Sequence, residues 1–209
     1  DSLTIDVGAG STLSLTAADA VEVEAITGGA GMVKVTALHS TLGADLSHIE
    51  TPITIALSAD ATLTAGAKIG AVDLTIEASG DGPYTLDVTA LGADFGLTSA
   101  ETLTVNGGIT LEMTAAQADG LSATGAGSIV INGLANVLDA DLGDLGTDSL
   151  TAEVDVSAGD VVFTGDLGNA AVTISGGNDH IFDVKGAVVG ANAAFTVEAS
   201  GLLRINGTD

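Results

Sequence analysis

The fold is decided by a pattern that is clearest in the stretch Leu103-Thr104-Val105-Asn106-Gly107-Gly108-Ile109-Thr110-Leu111-Glu112-Met113. Apolar and polar residues alternate on both sides of the Asn-Gly-Gly segment, as they do in β-strands that bury one face. The Asn-Gly-Gly segment itself is typical of a tight turn. The stretch therefore predicts two short strands joined at a corner.

The same alternation fills most of the chain, for example in Ile53–Leu57 and Val72–Glu77. Gly, Asp, Asn and Ser separate the alternating runs, so the predicted strands are short. Helical signals are confined to Thr16–Ala20 and Thr114–Ala118, each of which predicts one turn with its Thr as N-cap. Gly120 is expected to end the second turn in a left-handed conformation. We therefore predict an all-β protein.

The chain also repeats itself at a spacing close to one hundred residues. Leu3-Thr-Ile-Asp6 returns as Leu103-Thr-Val-Asn106 and again as Leu203-Arg-Ile-Asn206. Such self-similarity is the signature of a repeat array, in which each unit stacks on its neighbours. The matches divide the chain into repeat unit 1 at residues 1–102, repeat unit 2 at residues 103–202, and the start of a third unit at residues 203–209.

The repeat extends through the interior of the unit. Leu13–Ala18 matches Leu111–Ala116, and Leu74-Thr-Ile76 matches Val172-Thr-Ile174. The offset between matches drifts slightly along the unit, so small insertions and deletions separate them. We expect the two units to follow the same course, with equivalent apolar residues facing the same core.

Two architectures fit this pattern. One is a parallel β-solenoid, in which strands of successive coils stack around a thin core of Val, Leu, Ile and Ala. The other is a pair of tandem β-sandwiches of immunoglobulin-like size. The chain has no Trp, only 2% aromatic residues and many Gly-rich turns. A thick sandwich core usually contains large aromatic side chains, so composition favours the solenoid.

Charge narrows the range of partners. The chain has 28 acidic residues against four Lys and Arg, a formal net charge of −24. Phosphate binding needs Lys and Arg, so we expect no nucleic-acid partner. Hydrophobic residues make up 46% of the chain, enough to bury a core. No run of about 18 apolar residues occurs, so we expect no membrane insertion in this segment.

The acidic residues have two interpretations. They could form a solvated surface that keeps the protein soluble, or some of them could bind calcium, which prefers six to eight oxygen ligands. Asp139, Asp141, Asp144 and Asp148 cluster in one predicted loop, and Asp45 is the first-unit counterpart of Asp141. The candidate calcium ligands are Asp45, Asp139, Asp141, Asp144, Asp179 and Asp183.

One short segment carries a motif resemblance. Gly177-Asn-Asp-His-Ile181 resembles the second half of the calcium-binding nonapeptide of RTX proteins. In that family, turn carbonyls and Asp carboxylates of adjacent coils share a calcium ion. The positions of the first two motif glycines are occupied here by Ile174 and Ser175. An ordinary Asn-Asp turn is therefore the competing interpretation.

Enzymatic signatures are missing from the sequence. The chain has no cysteine, its three histidines have no metal-ligand spacing, and no nucleophile elbow or phosphate-binding loop occurs. Paired carboxylates for glycoside hydrolysis are compatible with a β-helix. Polysaccharide clefts, however, usually contain Trp, Tyr and basic residues, which are scarce here. We therefore expect a protein that is not an enzyme.

In overall style the chain resembles bacterial and archaeal surface-layer proteins and giant repeat adhesins. The resemblance rests on Ala100–Val105, Leu111–Ala118 and Gly125–Ile131, and on an acidic, cysteine-free, aromatic-poor composition. It implies an extracellular, calcium-stabilised structural protein at the cell surface that self-associates into a lattice or filament, with cell-surface glycan as a further partner. The alternative is the extender region of a large adhesin.

Overall fold

The computed structural model describes residues 3–97, 100–176, 179–198 and 201–205. It contains 44% strand and 9% helix, arranged as a β-solenoid of about nine turns. The predicted all-β class and the solenoid architecture are both confirmed. Residues 206–209 of the predicted third unit lie outside the described residues, as do Gly177 and Asn178 of the RTX-like motif.

The regular elements are short, as the Gly, Asp, Asn and Ser residues between the alternating runs predict. The strands of the first half are β1 (Thr4–Asp6), β2 (Thr12–Thr16), β3 (Ala25–Thr27), β4 (Met32–Thr36), β5 (Ile53–Leu57), β6 (Ala61–Thr62), β7 (Leu74–Ala78) and β8 (Tyr84–Asp87). Those of the second half are β9 (Leu103–Val105), β10 (Ile109–Thr114), β11 (Ala123–Asn132), β12 (Leu145–Asp155), β13 (Val161–Val162), β14 (Ala171–Ser175), β15 (Ile181–Asp183), β16 (Ala194–Val197) and β17 (Leu202–Arg204). The α-helical turns are α1 (Ala17–Ala20) and α2 (Ala115–Ala118), and 3-10 turns span Leu38–Ser40, Thr89–Phe95 and Leu134–Asn136.

All strand pairs among the described residues are parallel. The longest ladder runs β2-β4-β5-β7-β9-β11-β12-β14-β16, while β13-β15-β17 and β1-β3 form two smaller sheets. Immunoglobulin-like sandwiches are built from antiparallel sheets, so the tandem-sandwich alternative is wrong. Parallel neighbours need a long connection between them, which here is the rest of one coil.

The length of a coil follows from the strand register. Leu13 pairs with Val33, Val33 with Ile53 and Ile53 with Leu74, so successive coils of the first unit are almost equal in length. These side chains point inward and stack on one another, and all but Leu13 are buried. The largest buried side chains, Phe163 and Phe182, lie with ring centroids 6.2 Å apart. The core is therefore a thin column of mostly small residues.

The two predicted helical turns are present and sit at corners of the coil. The Thr16 side chain accepts a hydrogen bond from the Asp19 amide at 3.1 Å, and Thr114 accepts one from the Gln117 amide at 3.2 Å. Gly120 follows α2 with a φ of +68°. Both turns bury alanines against the core, because a larger residue would not fit between the corner and the inward ladders.

The tandem repeat is visible in three dimensions. Gly28 and Gly125 have φ values of +113° and +114°. A Cβ at either would lie 2.2 Å from a carbonyl oxygen of the preceding coil, that of Val7 or that of Val105. Val7 is thus the structural equivalent of Val105. By this equivalence Leu103 corresponds to residue 5, two positions from the Leu3 with which the sequence match pairs it. A shift of two positions keeps each side chain on the same side of the strand.

The second unit is rotated about the solenoid axis relative to the first, so that each of its first strands lies one ladder further round than its first-unit counterpart. β2, β4, β5 and β7 follow one ladder, and the next strand on that ladder is β9, the counterpart of β1. Likewise β8 is followed by β10, the counterpart of β2. The coil that makes this change runs from Leu74 to Leu103 and is longer than the coils before it. We call the pairs β7-β9 and β8-β10 the internal junction.

None of the helices in the described part of the chain is long and apolar enough to cross a bilayer.

Candidate functional site: acidic corners and open end coils

Many of the acidic residues close corners of the coil. In six Asp residues the Oδ1 oxygen accepts the backbone N–H of the residue two positions later, at 2.7–3.0 Å. This Asx turn satisfies an amide that the corner would otherwise leave unpaired. The residues are Asp45, Asp87, Asp141, Asp155, Asp166 and Asp183. These six carboxylates therefore have a structural role.

A second group of Asp residues joins one coil to the next. Asp60 accepts the amide of Thr85 at 2.8 Å, and Asp160 accepts the amide of Ile181 at 2.9 Å. Asp60 and Asp160 precede β6 and β13, which occupy equivalent places in the two units. Sequence reasoning missed this pair, although each residue stands four positions before a Thr. The hydroxyls of those threonines, Thr64 and Thr164, also donate hydrogen bonds to equivalent backbone carbonyls in the two units.

Asp60→Ala is expected to lower the free energy of unfolding by about 1 kcal/mol, because the Thr85 amide loses its acceptor. Asp60→Asn keeps an oxygen in the same place and should stay within about 0.5 kcal/mol of the parent protein. Urea unfolding of the three proteins measures the difference. Equal losses in both variants would show that the negative charge, rather than the hydrogen bond, is what matters.

Three carboxylates form a column along one corner on successive coils. Asp119 Oδ1 accepts the amide of Asp141 at 2.8 Å, and Asp141 forms an isolated parallel bridge with Asp166. A Cβ placed on Gly143 would lie 3.2 Å from Asp141 Oδ1 and 2.9 Å from Asp166 Oδ2. The Asp141 backbone thus contacts Asp119 and Asp166 from neighbouring coils, whereas the sequence predicts that Asp141 lies close to Asp139 and Asp144 of its own loop.

The other predicted ligands are dispersed. Asp139, Asp144 and Asp179 are exposed, and Asp179 has a left-handed φ of +61°. Asp45 lies 3.4 Å from the Lys68 ammonium, and Asp183 lies 3.0 Å from the Arg204 guanidinium. Within the described ranges, no group of three or more His, Cys, Asp or Glu side chains is placed to hold a metal ion. Calcium binding stays a prediction.

Three corner carboxyls have lowered pKa values. The Ser47 hydroxyl donates to Asp45 and, with help from Lys68, lowers its pKa. The backbone amide of Ser157 lowers the pKa of Asp155. The backbone amide of Lys185 and then the Arg204 guanidinium lower the pKa of Asp183. Each effect arises because the donor stabilises the ionised carboxylate.

The two end coils expose apolar side chains that the middle of the solenoid covers. Of the ten large apolar residues exposed in the described part of the chain, seven lie in the first coil or the last two. Ile5, Leu13, Phe195 and Leu203 are only partly buried, although they continue the inward ladders. The exposed end residues are Leu3, Val21, Val188, Val189, Val197, Leu202 and Ile205.

The ends differ in charge. Residues 3–24 contain four acidic side chains and no basic one, whereas residues 179–205 contain three acidic side chains and two from Lys and Arg. Half of the four Lys and Arg residues of the chain therefore lie near the C-terminal end of the solenoid. The Asp, Glu, Lys and Arg residues are Asp6, Asp19, Glu22 and Glu24 at the first end, and Asp179, Asp183, Lys185, Glu198 and Arg204 at the other.

Comparison of the chain with protein-family models, with curated protein sequences and with solved structures gave no match.

Proposed function

We propose that this chain is an extracellular structural repeat protein that assembles into a surface-layer lattice or filament. The observation that carries the proposal is the exposed apolar surface at both end coils. In the middle of the solenoid, inward-facing side chains such as Ile55 and Val154 are fully covered by the coils on either side. The proposal assigns the protein a mechanical role and no catalytic one.

Leaving the end coils uncovered costs free energy. Among the described strands, those of the first and last coils pair with a neighbour on one side only, and a strand edge of this kind is a template for adding another strand. Each also presents apolar side chains, whose burial contributes roughly 25 cal/mol per Å². Among the described residues no element covers either end, so the solenoid gains stability when another coil stacks on it.

The extracellular location rests on composition. The chain is acidic, free of cysteine and poor in aromatic residues. It shares this style with surface-layer proteins and giant adhesins, which act at the cell surface. Contact with cell-surface glycan belongs to the same proposal. Three shallow grooves in the described surface are lined mostly by small residues and contain neither Trp nor Tyr, so such contact would rely on polar groups.

The extender region of a large adhesin is a second candidate, and the internal junction favours it. There one repeat unit continues into the next within a single polypeptide, with strand pairing unbroken from β7 to β9. Covalent repetition of this kind can lengthen a stalk without any association between chains. The two candidates therefore differ in whether separate copies bind one another.

Light scattering and electron microscopy of the purified chain test the proposal. A structural array protein should grow in mass with concentration and should form fibres or sheets. Monodisperse single particles at all concentrations, in buffers from low to high salt, would contradict assembly between copies and favour the extender. Hydrolysis of any member of a glycan panel would contradict the non-catalytic role.

Calcium is expected to raise both the melting temperature and the extent of assembly. The net charge of −24 opposes stacking, and bound divalent cations would reduce that repulsion. Ligand binding to the folded state adds RT ln(1 + [L]/Kd) to its stability, about 2.7 kcal/mol at 100 times Kd. Thermal melting and scattering in calcium or in chelator, at constant ionic strength, measure the effect.

Magnesium at the same concentration serves as the control for a general charge effect. Asp141→Asn should weaken the response to calcium, because it removes one charge from the Asp119–Asp141–Asp166 column and keeps the oxygen that accepts the Gly143 amide. Identical melting and scattering curves in calcium and in chelator would contradict calcium binding. The acidic residues would then keep only their role in closing corners of the coil.

A further inference from the structure

We propose that a groove on the second repeat unit binds a neutral oligosaccharide. The groove consists of two adjoining cavities of about 430 Å³ and about 420 Å³ that share Gly133 and Asn136 in their walls. Cavities of this size are typical of small-ligand sites. The proposal rests on the cell-surface role proposed above, and it gives the glycan contact of that role a place and a ligand class.

The groove crosses three successive coils at one corner of the solenoid. It begins beside α2, passes over the 3-10 turn Leu134–Asn136 and ends at the loop before β13. These elements follow β10, β11 and β12, which pair as neighbours in one sheet. Coils in such a sheet are about 4.8 Å apart, so the groove is long enough for a short chain of sugar rings.

The first repeat unit provides an internal comparison for the middle of the groove. Its 3-10 turn Leu38–Ser40 is equivalent to Leu134–Asn136, because each turn follows a strand of the long ladder and a residue with a left-handed φ. Where unit 1 has His39, whose Nδ1 atom is buried, unit 2 has Ala135. Since Ala135 lines the groove, the smaller side chain leaves space there for a ligand.

The loop before β13 also differs between the units. Leu57 and Val154 are equivalent, since each is the last buried residue of its strand on the long ladder. Two residues lie between Leu57 and Asp60, whereas five lie between Val154 and Asp160. The longer loop of unit 2 contributes Gly159 and its neighbours to the wall of the groove. The insertion therefore builds one side of the cavity.

The amide side chains of the groove are available to a ligand. Asn132 and Asn136 can each donate and accept hydrogen bonds, and neither side chain is bonded to another residue in the described part of the chain. A Cβ on Gly133 would lie 2.8 Å from Asn136 Nδ2, so the glycine lets this amide lie across the floor. In unit 1 the counterpart of Asn132 is Thr36, whose hydroxyl is already bonded to the Leu15 carbonyl at 3.2 Å.

Two carboxylates at the far end of the groove are held in place by the backbone. Asp155 Oδ1 accepts the Ser157 amide at 2.8 Å, and Asp160 Oδ1 accepts the Ile181 amide at 2.9 Å. These bonds order the side chains before a ligand arrives, which reduces the entropic cost of binding. Ionised carboxylates accept hydrogen bonds, so this end suits the hydroxyl groups of a sugar.

Charge and shape narrow the ligand class. Among the described residues that line the two cavities there is no Lys or Arg. A phosphate, sulfate or carboxylate ligand would therefore meet two carboxylates without a cation to pair with. The remaining lining residues are mainly Ala and Gly, which can pack against the C–H groups of a sugar ring. A neutral, polyhydroxylated ligand matches these groups better than an anionic one.

A panel of neutral oligosaccharides tests the site, with short oligomers of glucose, mannose, galactose and N-acetylglucosamine as the probes. Isothermal titration measures binding, and amide chemical shifts of isotope-labelled protein locate it. We expect an oligomer of the panel to bind with millimolar or tighter affinity and to shift the Gly133 and Gly159 amides. Asn136→Ser and Ala135→His, which restore the unit 1 residues, should each weaken binding at least about tenfold.

His39→Ala is the matched control, because it makes the reverse exchange in unit 1 and should leave the affinity unchanged. Equal weakening by His39→Ala, chemical shifts confined to residues outside the groove, or no binding by any oligomer at millimolar concentration overturns the site. Binding of spermidine in place of the oligosaccharides overturns it in favour of a cationic partner. Light scattering of the same samples separates the two proposals, since assembly without glycan binding contradicts only this site, and glycan binding by single particles contradicts only assembly.

Discussion

Phe182→Ala is expected to lower the free energy of unfolding by about 3–5 kcal/mol, the usual cost of removing a fully buried Phe side chain. Phe182 is fully buried and its ring lies 6.2 Å from that of Phe163. The neighbouring core residues are small and stacked in ladders, so they cannot move far enough to fill the cavity. For a chain of this size the loss corresponds to roughly 10–15 °C in melting temperature.

Phe195→Ala is the matched control, because Phe195 lies in the last coil and is only partly buried. In dilute, monomeric protein its replacement should cost less than half as much. Urea unfolding followed by circular dichroism compares the two variants. Equal losses, or a loss for Phe182→Ala well below the range typical of a buried Phe, would contradict the core described here.

Val197→Asp is expected to weaken association between copies by at least about 100-fold, with little effect on the fold. Val197 is 41% exposed in a single copy, and it would be covered if another coil stacked on the last one, as the proposed assembly requires. The substitution would bury an unpaired charge, which costs about 3–5 kcal/mol. A loss of about 1.4 kcal/mol already lowers affinity tenfold.

Val162→Asp provides the control, since it makes the same charge change at an exposed site within the solenoid. Val162 is 51% exposed and lies on β13, away from both end coils. Sedimentation at a series of concentrations measures association for the parent and both variants. If Val162→Asp and Val197→Asp weaken association equally, net charge and not the end coil governs assembly.

The strands and corners were predictable because their signals are local. Alternation at Ile53–Leu57 and Ala171–Ile174 reports one buried face, and the Thr caps of α1 and α2 depend on residues three positions apart. Repetition added one nonlocal expectation, that matched residues of the two units face the same core. Leu74 and Val172, which the repeat matches, are both buried at 1% exposure.

The pairing of strands could not be read from alternation, because parallel and antiparallel strands share the same period of two. Composition alone favoured the solenoid. The offset between the units was also ambiguous by two positions, since a shift of two keeps every side chain on the same face. Leu103 is equivalent to Ile5 in three dimensions, whereas the sequence match pairs it with Leu3.

The acidic corners were the least predictable feature. Asp141 meets Asp119 and Asp166, which are distant in sequence but only one coil away in space. Only the coil length, which no local pattern reveals, brings such residues together. A search for ligands within one loop therefore groups Asp139, Asp141 and Asp144, which the solenoid does not gather into one site.

The most direct test of the account is the axial repeat of the assembled material, measured by electron cryomicroscopy of filaments. Coaxial stacking of solenoids with about nine turns, each rising about 4.8 Å, predicts strands perpendicular to the filament axis and a rise of roughly 43 Å per copy. Filaments or sheets in which the strands run along the long axis, or in which solenoids pack only side by side, would contradict end-to-end stacking.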